Sequence, residues 1–586
     1  MYLKGVGDMA FLNIPKGRSD FETIRREGFY YVDKTGLIGE ILKSSGTQVT
    51  LITRPRRFGK TLGMSTLECF LDIQKDSQNL FDGLEISKQR NICDEWMNKW
   101  PVMSLSLKAV EGNDFSTAYM QLVYEVGELY KKHEYLMESS ALNEEEKKLY
   151  WNIRYQHAGK IEVMRSLYIL SEFLSRHYNK NVIILIDEYD VPMARATSNG
   201  YYKEMLEIMK GFMQALKDNS YLKLAVVTGC LKIAKESIFT GTNNFVSNTI
   251  TSSRLNEYYG FVQSEVDRIL EDADINGKEE IMKKWYDGYH FGDVDVYCPW
   301  DVMCYVDDLQ NNPDAKPDEY WKDTSDNAII RSFIDYAGVS ITKKMETLMS
   351  GGYILQRVDE NLTYDYLHSS EENLWSMMYL TGYLTQVRDC DIDEKLPDNT
   401  IALKIPNLEI KQIFETEVFK WFEDNSKKWN KKELFLNDVK VRPKEHYGTL
   451  NMVMFLAVWS GDCDKITKEV STLLRRTISY HDYGEDFYHA FLSGIFAGAG
   501  YQVDSNKEHG EGRSDIIVCD TINGHVAIFE AKRAAALDNL ESECDKALKQ
   551  IDERMYARDF EDAYDSEHIH CYGIAFYKKR CLVKKK

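Results

Sequence analysis

The stretch Val49–Thr61, VTLITRPRRFGKT, decides the fold class of the amino-terminal part of the chain. Its first five residues are apolar or β-branched and predict a strand, and the amphipathic run at 62–71 predicts a helix after it. A Gly-Lys-Thr ending between a strand and a helix is the context that a phosphate-binding loop requires, because backbone N–H groups at a helix N-terminus attract phosphate. The stretch therefore indicates nucleotide binding.

The second half of this loop supplies the candidates for binding ATP, which are Arg57, Phe58, Gly59, Lys60 and Thr61. Lys60 is expected to reach the terminal phosphates, and Thr61 to offer its hydroxyl to Mg²⁺. Position 54, where such a loop usually opens with glycine, is Arg54 here, which predicts extra positive charge beside the nucleotide. For Arg56 and Arg57, four alternatives stay open: contact with phosphate, contact with a partner subunit, contact with nucleic acid and a solvated loop face.

A second apolar strand is predicted at 182–186, and it ends in Asp187 and Glu188. In a nucleotide site Asp187 would hold Mg²⁺ through water, and Glu188 would polarise the attacking water. Thr228 ends the next apolar strand, where a polar residue could sense the γ-phosphate. The alternatives are that Asp187 only caps a turn and that Thr228 is an ordinary satisfied residue at a strand end.

The order of periods along the chain predicts an α/β protein with three domains. Strand-like and helix-like runs alternate up to residue 260, which predicts a P-loop domain with a parallel sheet at 1–260. Residues 261–475 are mostly helical in pattern and predict a middle or lid region. Residues 476–586 read helix, strand, strand, strand, helix, strand, which fits one small α/β domain. The lysines after position 577 are interpreted as a solvated tail.

An acidic pattern in the last domain predicts a second site. Asp515 opens one strand-like run, and Glu530-Ala531-Lys532 closes the next, so a hairpin would bring them together. Asp515 and Glu530 could share a divalent cation through oxygen ligands, and the strand period puts Glu530 and Lys532 on one face. This set suits metal-assisted hydrolysis of a phosphodiester. The alternative is an exposed hairpin with an ordinary salt bridge.

Two further side chains are candidates for the same site. Glu485, on the preceding helix-like run, could add a carboxylate, and Gln550, on the following one with Tyr556 beyond it, could steady the water or the substrate. The chain as a whole carries a net charge of −20, so nucleic acid would need a local basic face. Lys507, Arg513, Lys532 and Arg533 provide one beside this site.

Composition bears on whether the protein spans a membrane and on which cellular compartment suits it. No run of 18 apolar residues is present, so no membrane span is predicted. The eleven cysteines lack CxxC spacing, which disfavours a zinc knuckle or a disulfide framework and suits a reducing cytoplasm.

Several motifs carry a resemblance to known families. Four amino-terminal segments resemble the AAA-ATPase-like family of bacterial proteins: Ile14-Pro15 with Phe21, Tyr31–Thr35, Arg54–Thr61 and Asp187–Asp190. Four carboxy-terminal segments are similar to a PD-(D/E)XK nuclease domain: Ser505–Glu508, Gly512–Asp515, Phe529–Lys532 and Ala547–Ile551. Ser514 stands where the nuclease family's name has proline.

The resemblance implies a P-loop ATPase fused to a restriction-endonuclease-like domain, with ATP and Mg²⁺ as cofactors and Arg54 as a family trait. We expect a nuclease that cuts nucleic acid, with DNA as the expected substrate, under ATP control. The alternatives are a nucleotide-dependent switch whose nuclease-like domain binds without cutting, and a scaffold without ATP. A homo-oligomer is also an open alternative, with Arg254 as a candidate for an arginine supplied to a neighbour's nucleotide.

Overall fold

The computed structural model forms two compact units, the first made of residues 1–325 and 355–410 and the second of residues 326–354 and 411–586. These two units differ from the three domains predicted at 1–260, 261–475 and 476–586, and that division stays a prediction. The structure describes residues 11–43, 46–232, 245–321, 344–345, 347–349, 351–362, 370–392, 396–397, 399–417, 449–477, 485–498, 501–505, 508–509, 512–513, 515–520, 524–561 and 564–586.

A five-stranded parallel sheet is the centre of the first unit, in the order β2-β3-β4-β1-β5. The predicted parallel α/β sheet is therefore confirmed. Residues on both faces of β3 are buried, which explains why this strand is a continuous apolar run. The strands are β1 (Val49–Thr53), β2 (Val102–Ser106), β3 (Val182–Asp187), β4 (Leu222–Gly229) and β5 (Phe245–Asn248).

Helices cover both faces of this sheet. Ile184 and Ile186 of β3 pack into one apolar cluster, and Ile183 and Leu185 pack into the other, as the strand period of two requires. The helices are α1 (Phe21–Arg26), α2 (Gly36–Leu42), α3 (Lys60–Leu71), α4 (Arg90–Trp96), α5 (Phe115–Lys132), α6 (Glu144–Arg154), α7 (Lys160–Tyr178), α8 (Val191–Asn199) and α9 (Tyr202–Phe212).

The rest of the first unit mixes helices with short strands. The sequence predicted a mostly helical region, because strands of two to four residues are too short to establish a period of two. The helices are α10 (Gln263–Asp272), α11 (Glu279–Tyr286), α12 (Pro299–Asn311) and α13 (Glu371–Leu380). The strands are β6 (Tyr289–Phe291), β7 (Val294–Val296), β8 (Ile354–Gln356), β9 (Thr385–Gln386) and β10 (Ile401–Lys404).

The second unit has a mixed five-stranded sheet in the order β11-β14-β15-β16-β17. Only the pair β15 and β16 is parallel, with α17 as its crossover helix. The strands are β11 (Gln502–Ser505), β12 (Glu508–His509), β13 (Gly512–Arg513), β14 (Ile516–Asp520), β15 (His525–Arg533), β16 (Ile569–Tyr577) and β17 (Arg580–Lys585). The helices are α14 (Thr449–Ser460), α15 (Cys463–Thr477), α16 (Glu485–Gly498) and α17 (Leu540–Glu553).

The last residues of the chain correct the interpretation of a solvated tail. They form the edge strand β17, which pairs antiparallel with β16 and buries Cys581 and Val583. Lys584, on the opposite face, contacts Asp545 at 2.7 Å. A lysine-rich end can form an edge strand because its alternate residues remain in solvent, where their charge discourages pairing with another chain.

Two expectations from composition concern the whole chain. None of the eleven cysteines, all of which lie in the described part, forms a disulfide. Across the described residues, no helix combines the length and the apolar character needed to cross a bilayer.

Candidate active sites in the two units

The loop between β1 and α3 adopts a conformation that suits phosphate. Gly59 is the N-cap of α3 and has a left-handed φ of 80°, where a side chain would strain the backbone. The loop lines a cavity of about 520 Å³. The first N–H groups of α3 have no partners within the helix, so they are available to an anion. The glycine and the start of the helix, which are neighbours in the sequence, therefore produce the candidate phosphate-binding loop.

Lys60 is held at a buried end of the loop. Its Nζ donates to the carbonyl oxygens of Arg54 at 3.1 Å and Pro55 at 3.0 Å. The same Nζ lies 3.7 Å from Oε1 of Glu188. Burial opposes the charged form, but Cys230 and the nearby carboxylates together raise the pKa of Lys60 above its ordinary value. A phosphate group would meet a cation that already has a carboxylate neighbour.

Asp187 gathers two hydroxyl groups. Its Oδ2 accepts a hydrogen bond from Thr61 Oγ1 at 2.8 Å, and its Oδ1 accepts one from Thr228 Oγ1. Burial, and then the charge of Glu188, raise the pKa of the Asp187 carboxyl, while the two threonines oppose that rise. A hydroxyl and a carboxylate in contact are oxygen ligands of the kind that Mg²⁺ prefers, so these residues fit the ion. Thr228 contacts this carboxylate directly, a link that the sequence did not predict.

The turn after β3 also contains an acid that sequence reasoning did not assign. Asp190 Oδ2 accepts hydrogen bonds from the backbone N–H groups of Cys230 and Leu231, each at 3.0 Å. Glu188 has a left-handed φ of 53°, which is uncommon for a residue with a side chain. Asp190 therefore ties this turn to the end of β4. Its place in the run Asp187–Asp190 was the available signal.

Arg54 does not lie where the sequence suggested. Its guanidinium is fully buried and donates to the carbonyl oxygens of Thr53 at 2.7 Å and Asn248 at 2.8 Å. It also donates to Asn256 Oδ1 at 2.7 Å. Burial lowers the pKa of Arg54 to about 10. The expectation of extra charge beside the nucleotide is wrong, because this side chain joins β1 to the segment after β5 and is not among the residues that line the cavity.

Two other loop residues, Arg57 and Phe58, differ in which of their atoms can reach a nucleotide in the cavity. The Phe58 side chain is buried, with ring centroids 5.0 Å from Tyr289 and 5.1 Å from Phe291, so the nucleotide could meet only its backbone. Arg57 lines the cavity, and its guanidinium lies 4.1 Å from the centre of the Trp300 ring. Arg254, the candidate for action on a neighbouring copy, donates to the carbonyl oxygen of Glu40 at 3.0 Å.

In the second unit, the β14–β15 hairpin brings together the predicted acidic set. Ile516 pairs with Phe529, so Asp515 and Glu530 adjoin paired positions of the ladder. Asp515 Oδ2 accepts a hydrogen bond from the N–H of Ala531 at 2.8 Å. Lys532 Nζ lies 3.0 Å from Glu530 Oε1, on the same strand.

The burial and the hydrogen bonding of Glu530 are those of a carboxylate that could bind a cation. Glu530 is fully buried, and its Oε2 has no hydrogen-bond partner among the residues that the structure describes. Burial, and then the charge of Asp515, raise the pKa of Glu530 to about 7, while Lys532 opposes that rise. A buried carboxylate oxygen without a donor is costly unless a positive charge compensates it. Asp515 and Glu530 therefore fit a divalent ion, although no set of three or more His, Cys, Asp or Glu residues within the described parts is arranged to hold a metal.

The neighbouring elements place the remaining candidates. Gln550 Nε2 lies 3.4 Å from the hydroxyl of Tyr556, whose pKa is raised by burial and, among smaller influences, by Glu530 and Asp515. Glu485 begins α16, but its side chain lies outside the described residues. His489, one turn later on that helix, hydrogen-bonds to the carbonyl oxygen of Asp515. Sequence reasoning missed His489; its position four residues after Glu485 was the available signal.

Comparisons with known proteins find one matching family model in each of the two units. Residues 15–239 match the family model described as "Predicted AAA-ATPase", and residues 483–586 match that of the PD-(D/E)XK nuclease superfamily. A protein of Azotobacter chroococcum mcd 1, described as "Uncharacterized protein in vnfD 5'region", is 23% identical over 580 residues. That similarity covers 97% of each chain, so it spans both matched segments and the region between them.

Proposed function

We propose that this chain, which carries an AAA-ATPase-like domain and a PD-(D/E)XK nuclease superfamily domain, binds and hydrolyses ATP and cuts DNA with a divalent metal under ATP control. The cytoplasm, which holds both ATP and DNA, is the compartment that suits this activity. The observation that carries the proposal is the buried Oε2 of Glu530, which lies beside Asp515 and Lys532 and has no hydrogen-bond partner in the described part of the chain. An ordinary surface salt bridge would leave no such oxygen, because both carboxylate oxygens would face water.

The residues of the second unit have distinct roles in this proposal. Asp515 and Glu530 hold the metal, and the backbone of Ala531 fixes the orientation of Asp515. A bound divalent cation supplies an activated water and neutralises charge on the phosphodiester. Lys532, whose side chain is about 20% exposed, can turn from Glu530 toward solvent and stabilise negative charge on the scissile phosphate. Gln550 orients the water or the substrate.

The residues of the first unit act on the nucleotide. The backbone of the loop at 57–59 and the ammonium of Lys60 bind the phosphates. Thr61 and Asp187 would hold Mg²⁺, which would neutralise negative charge on the phosphate groups when bound. Glu188, now paired with Lys60, would be released to orient the attacking water once a phosphate takes its place beside that ammonium.

The test is a cleavage assay with the full-length chain. Double-stranded DNA, single-stranded DNA and RNA are incubated with Mg²⁺ or Mn²⁺, with and without ATP. We expect DNA cleavage that requires metal and responds to ATP, and a loss of at least about 100-fold in Asp515→Asn and Lys532→Ala. Lys549→Ala is the matched control, because this lysine lies on α17 with its side chain 73% exposed.

Two results would contradict the proposal. One is that no nucleic acid is cut with any divalent metal, and the other is that Lys532→Ala cuts as fast as the wild-type chain. The proposed binding of ATP at the phosphate loop is tested separately, by measuring the affinity of Lys60→Ala for a fluorescent ATP analogue. An unchanged affinity in that variant would contradict nucleotide binding at this loop.

A second candidate is a nucleotide-dependent switch whose nuclease-like domain binds a partner without cutting. The ion pair between Lys532 and Glu530 supports it, because a lysine held in that way neutralises the site without a metal. Calorimetry with Mn²⁺ separates the two. Metal binding that disappears in Glu530→Gln supports the nuclease, and absence of binding supports the switch.

A further inference from the structure

Two buried carboxyl groups lie behind the phosphate loop, outside both proposed active sites. Asp301 is the third residue of α12, and Glu409 follows β10; both are fully buried. Glu409 Oε1 accepts a hydrogen bond from the backbone N–H of Trp321 at 2.8 Å. Glu409 Oε2 and both oxygens of Asp301 accept none from any N–H or O–H group of the described residues.

The two carboxyl groups are close enough to share one proton, which reduces the charge buried at this place. They lie within hydrogen-bonding reach of one another, and two carboxylates can form such a bond only if one of them carries a proton. Burial raises the pKa of both groups. Like charges at short range in a buried site favour one shared proton over two ionised groups.

The pair is connected to the phosphate loop through two donors. The indole Nε1 of Trp321 donates to the carbonyl oxygen of Arg56 at 3.4 Å. The thiol of Cys298, which adjoins Asp301, donates to the carbonyl oxygen of Arg57 at 3.9 Å. The backbone of two successive loop residues is therefore held by residues that contact Asp301 or Glu409.

We propose that Asp301 and Glu409 are positioning residues that share one proton and thereby hold the loop at Arg56 and Arg57 in the conformation that binds nucleotide. In its effect on nucleotide affinity this inference rests on the proposed function. The shared proton itself does not, because it is a property of the protein without nucleotide.

The charged and titratable groups around the pair decide the direction of its pH dependence. They come from the loop, from α11 and β6, from α12 itself and from the segments on either side of α12: Arg57, Tyr286, Tyr289, Cys298, Cys304 and Glu319. Because the pKa of each carboxyl is raised on folding, the stabilising contribution is complete at low pH and is lost as the pH rises through the raised pKa. Loss of the proton leaves two buried negative charges that repel each other, and the contacts to the loop weaken.

The experiment measures the affinity of the full-length chain for a fluorescent ATP analogue between about pH 6 and about pH 9. In the wild-type chain we expect the affinity to fall by roughly tenfold across this range, because one unit of pKa corresponds to a tenfold change in an equilibrium constant. In Glu409→Gln the amide supplies a permanent donor to Asp301, so the fall should be smaller. Asp301→Asn should behave in the same way, whereas Glu409→Ala should bind weakly at every pH.

The control is Glu319→Gln, which removes a carboxylate that acts on Glu409 without belonging to the pair. Asp187, which also has a raised pKa, contributes equally to the wild-type chain and to these variants, so the comparison isolates the pair. The inference is overturned if Glu409→Gln and the wild-type chain have the same pH profile. A smaller pH dependence in Glu319→Gln equal to that in Glu409→Gln would also overturn it.

A second measurement separates this inference from the proposed function. In infrared difference spectra at neutral pH, the wild-type chain should show a protonated-carboxyl band relative to Glu409→Gln, and Glu319→Gln should show the same band relative to Glu409→Gln, because the contribution of Glu530 cancels in each difference. If the wild-type chain binds no nucleotide but shows this band, the proposed function fails and the shared proton stands. If the band is absent, the inference fails whatever the nucleotide affinity.

Discussion

The carboxylate of Asp515 accepts a hydrogen bond from the backbone N–H of Ala531 at 2.8 Å, across two neighbouring strands. Ala531 lies between Glu530 and Lys532, whose side chains share the opposite face of the strand from its own. One backbone bond therefore fixes the position of the first acid relative to the second acid and the lysine. The ladder of the hairpin, rather than the side chains themselves, sets the geometry of this site.

Glu530→Gln should stabilise the metal-free chain while it abolishes cleavage. In the folded chain the pKa of Glu530 is raised to about 7. The ionisation of Glu530 therefore lowers the free energy of unfolding of the wild-type chain as the pH rises from the ordinary range of a carboxyl through about 7. The neutral amide avoids that loss. In EDTA above pH 7 we expect a gain of about 1–3 kcal/mol in the free energy of unfolding, measured by urea denaturation.

Glu541→Gln is the control for this measurement, because its side chain is 75% exposed. It should change the free energy of unfolding by less than about 0.5 kcal/mol. A Glu530→Gln variant that is no more stable than the wild-type chain above pH 7 would show that the buried oxygen has a compensating partner.

Thr228→Val should slow ATP hydrolysis more than it weakens ATP binding. The hydroxyl of Thr228 donates to Asp187, and valine keeps the shape of the side chain but removes the donor. A hydrogen bond to a charged group contributes about 1.5 kcal/mol, so the rate of hydrolysis should fall about tenfold. Thr228→Ser should restore the rate, since it restores the donor. Phosphate release and analogue binding measure the two quantities, and equal losses in both would contradict the prediction.

Arg54→Gly should destabilise the protein although it restores the glycine that such loops usually have. The guanidinium is fully buried and donates to Thr53, Asn248 and Asn256, so its removal takes a donor away from each of these buried acceptors. We expect a loss of about 3 kcal/mol or more in the free energy of unfolding, measured by thermal denaturation. Arg26→Ala, at a side chain that is 51% exposed, is the control. A melting temperature equal to that of the wild-type chain would mean that the buried network is dispensable.

His570→Asn should make the chain less sensitive to acid. Burial, the charge of Lys585, His525 and His568 lower the pKa of His570 to about 4. The unfolded chain therefore takes up a proton below about pH 6.5 that the folded chain refuses until about pH 4. Across that window His570 reduces stability by at most about 1.4 kcal/mol per pH unit.

Asparagine keeps an acceptor near Lys585, whose Nζ lies 2.9 Å from Nδ1 of His570, but it does not titrate. Urea midpoints at about pH 7 and about pH 5 should therefore lie closer together in this variant than in the wild-type chain. His157→Asn, at an exposed aromatic contact with Trp151, is the comparison that should leave the difference between the midpoints unchanged. Equal differences in His570→Asn and the wild-type chain would contradict the prediction.

The sequence by itself determined the local features of both sites. A strand, a glycine and a helix in succession specify the loop that ends in Lys60, and the period of two specifies that Glu530 and Lys532 share a face. The parallel sheet followed from the alternation of strand-like and helix-like runs, and both faces of β1 and β3 are buried, as such a sheet requires. These features could be predicted because they depend on residues that are neighbours in the chain.

Tertiary structure alone decided the rest. The burial of Arg54 and the pairing of Asp301 with Glu409 depend on segments that are far apart in sequence. The edge strand formed by the last lysines pairs with the strand just before it, but it forms only because that strand belongs to a buried sheet. Whether a charged side chain meets water or a buried partner is set by what packs over it, and no local period encodes that. Spacing in the chain thus fixes which groups can face one another, and packing fixes whether they are charged when they do.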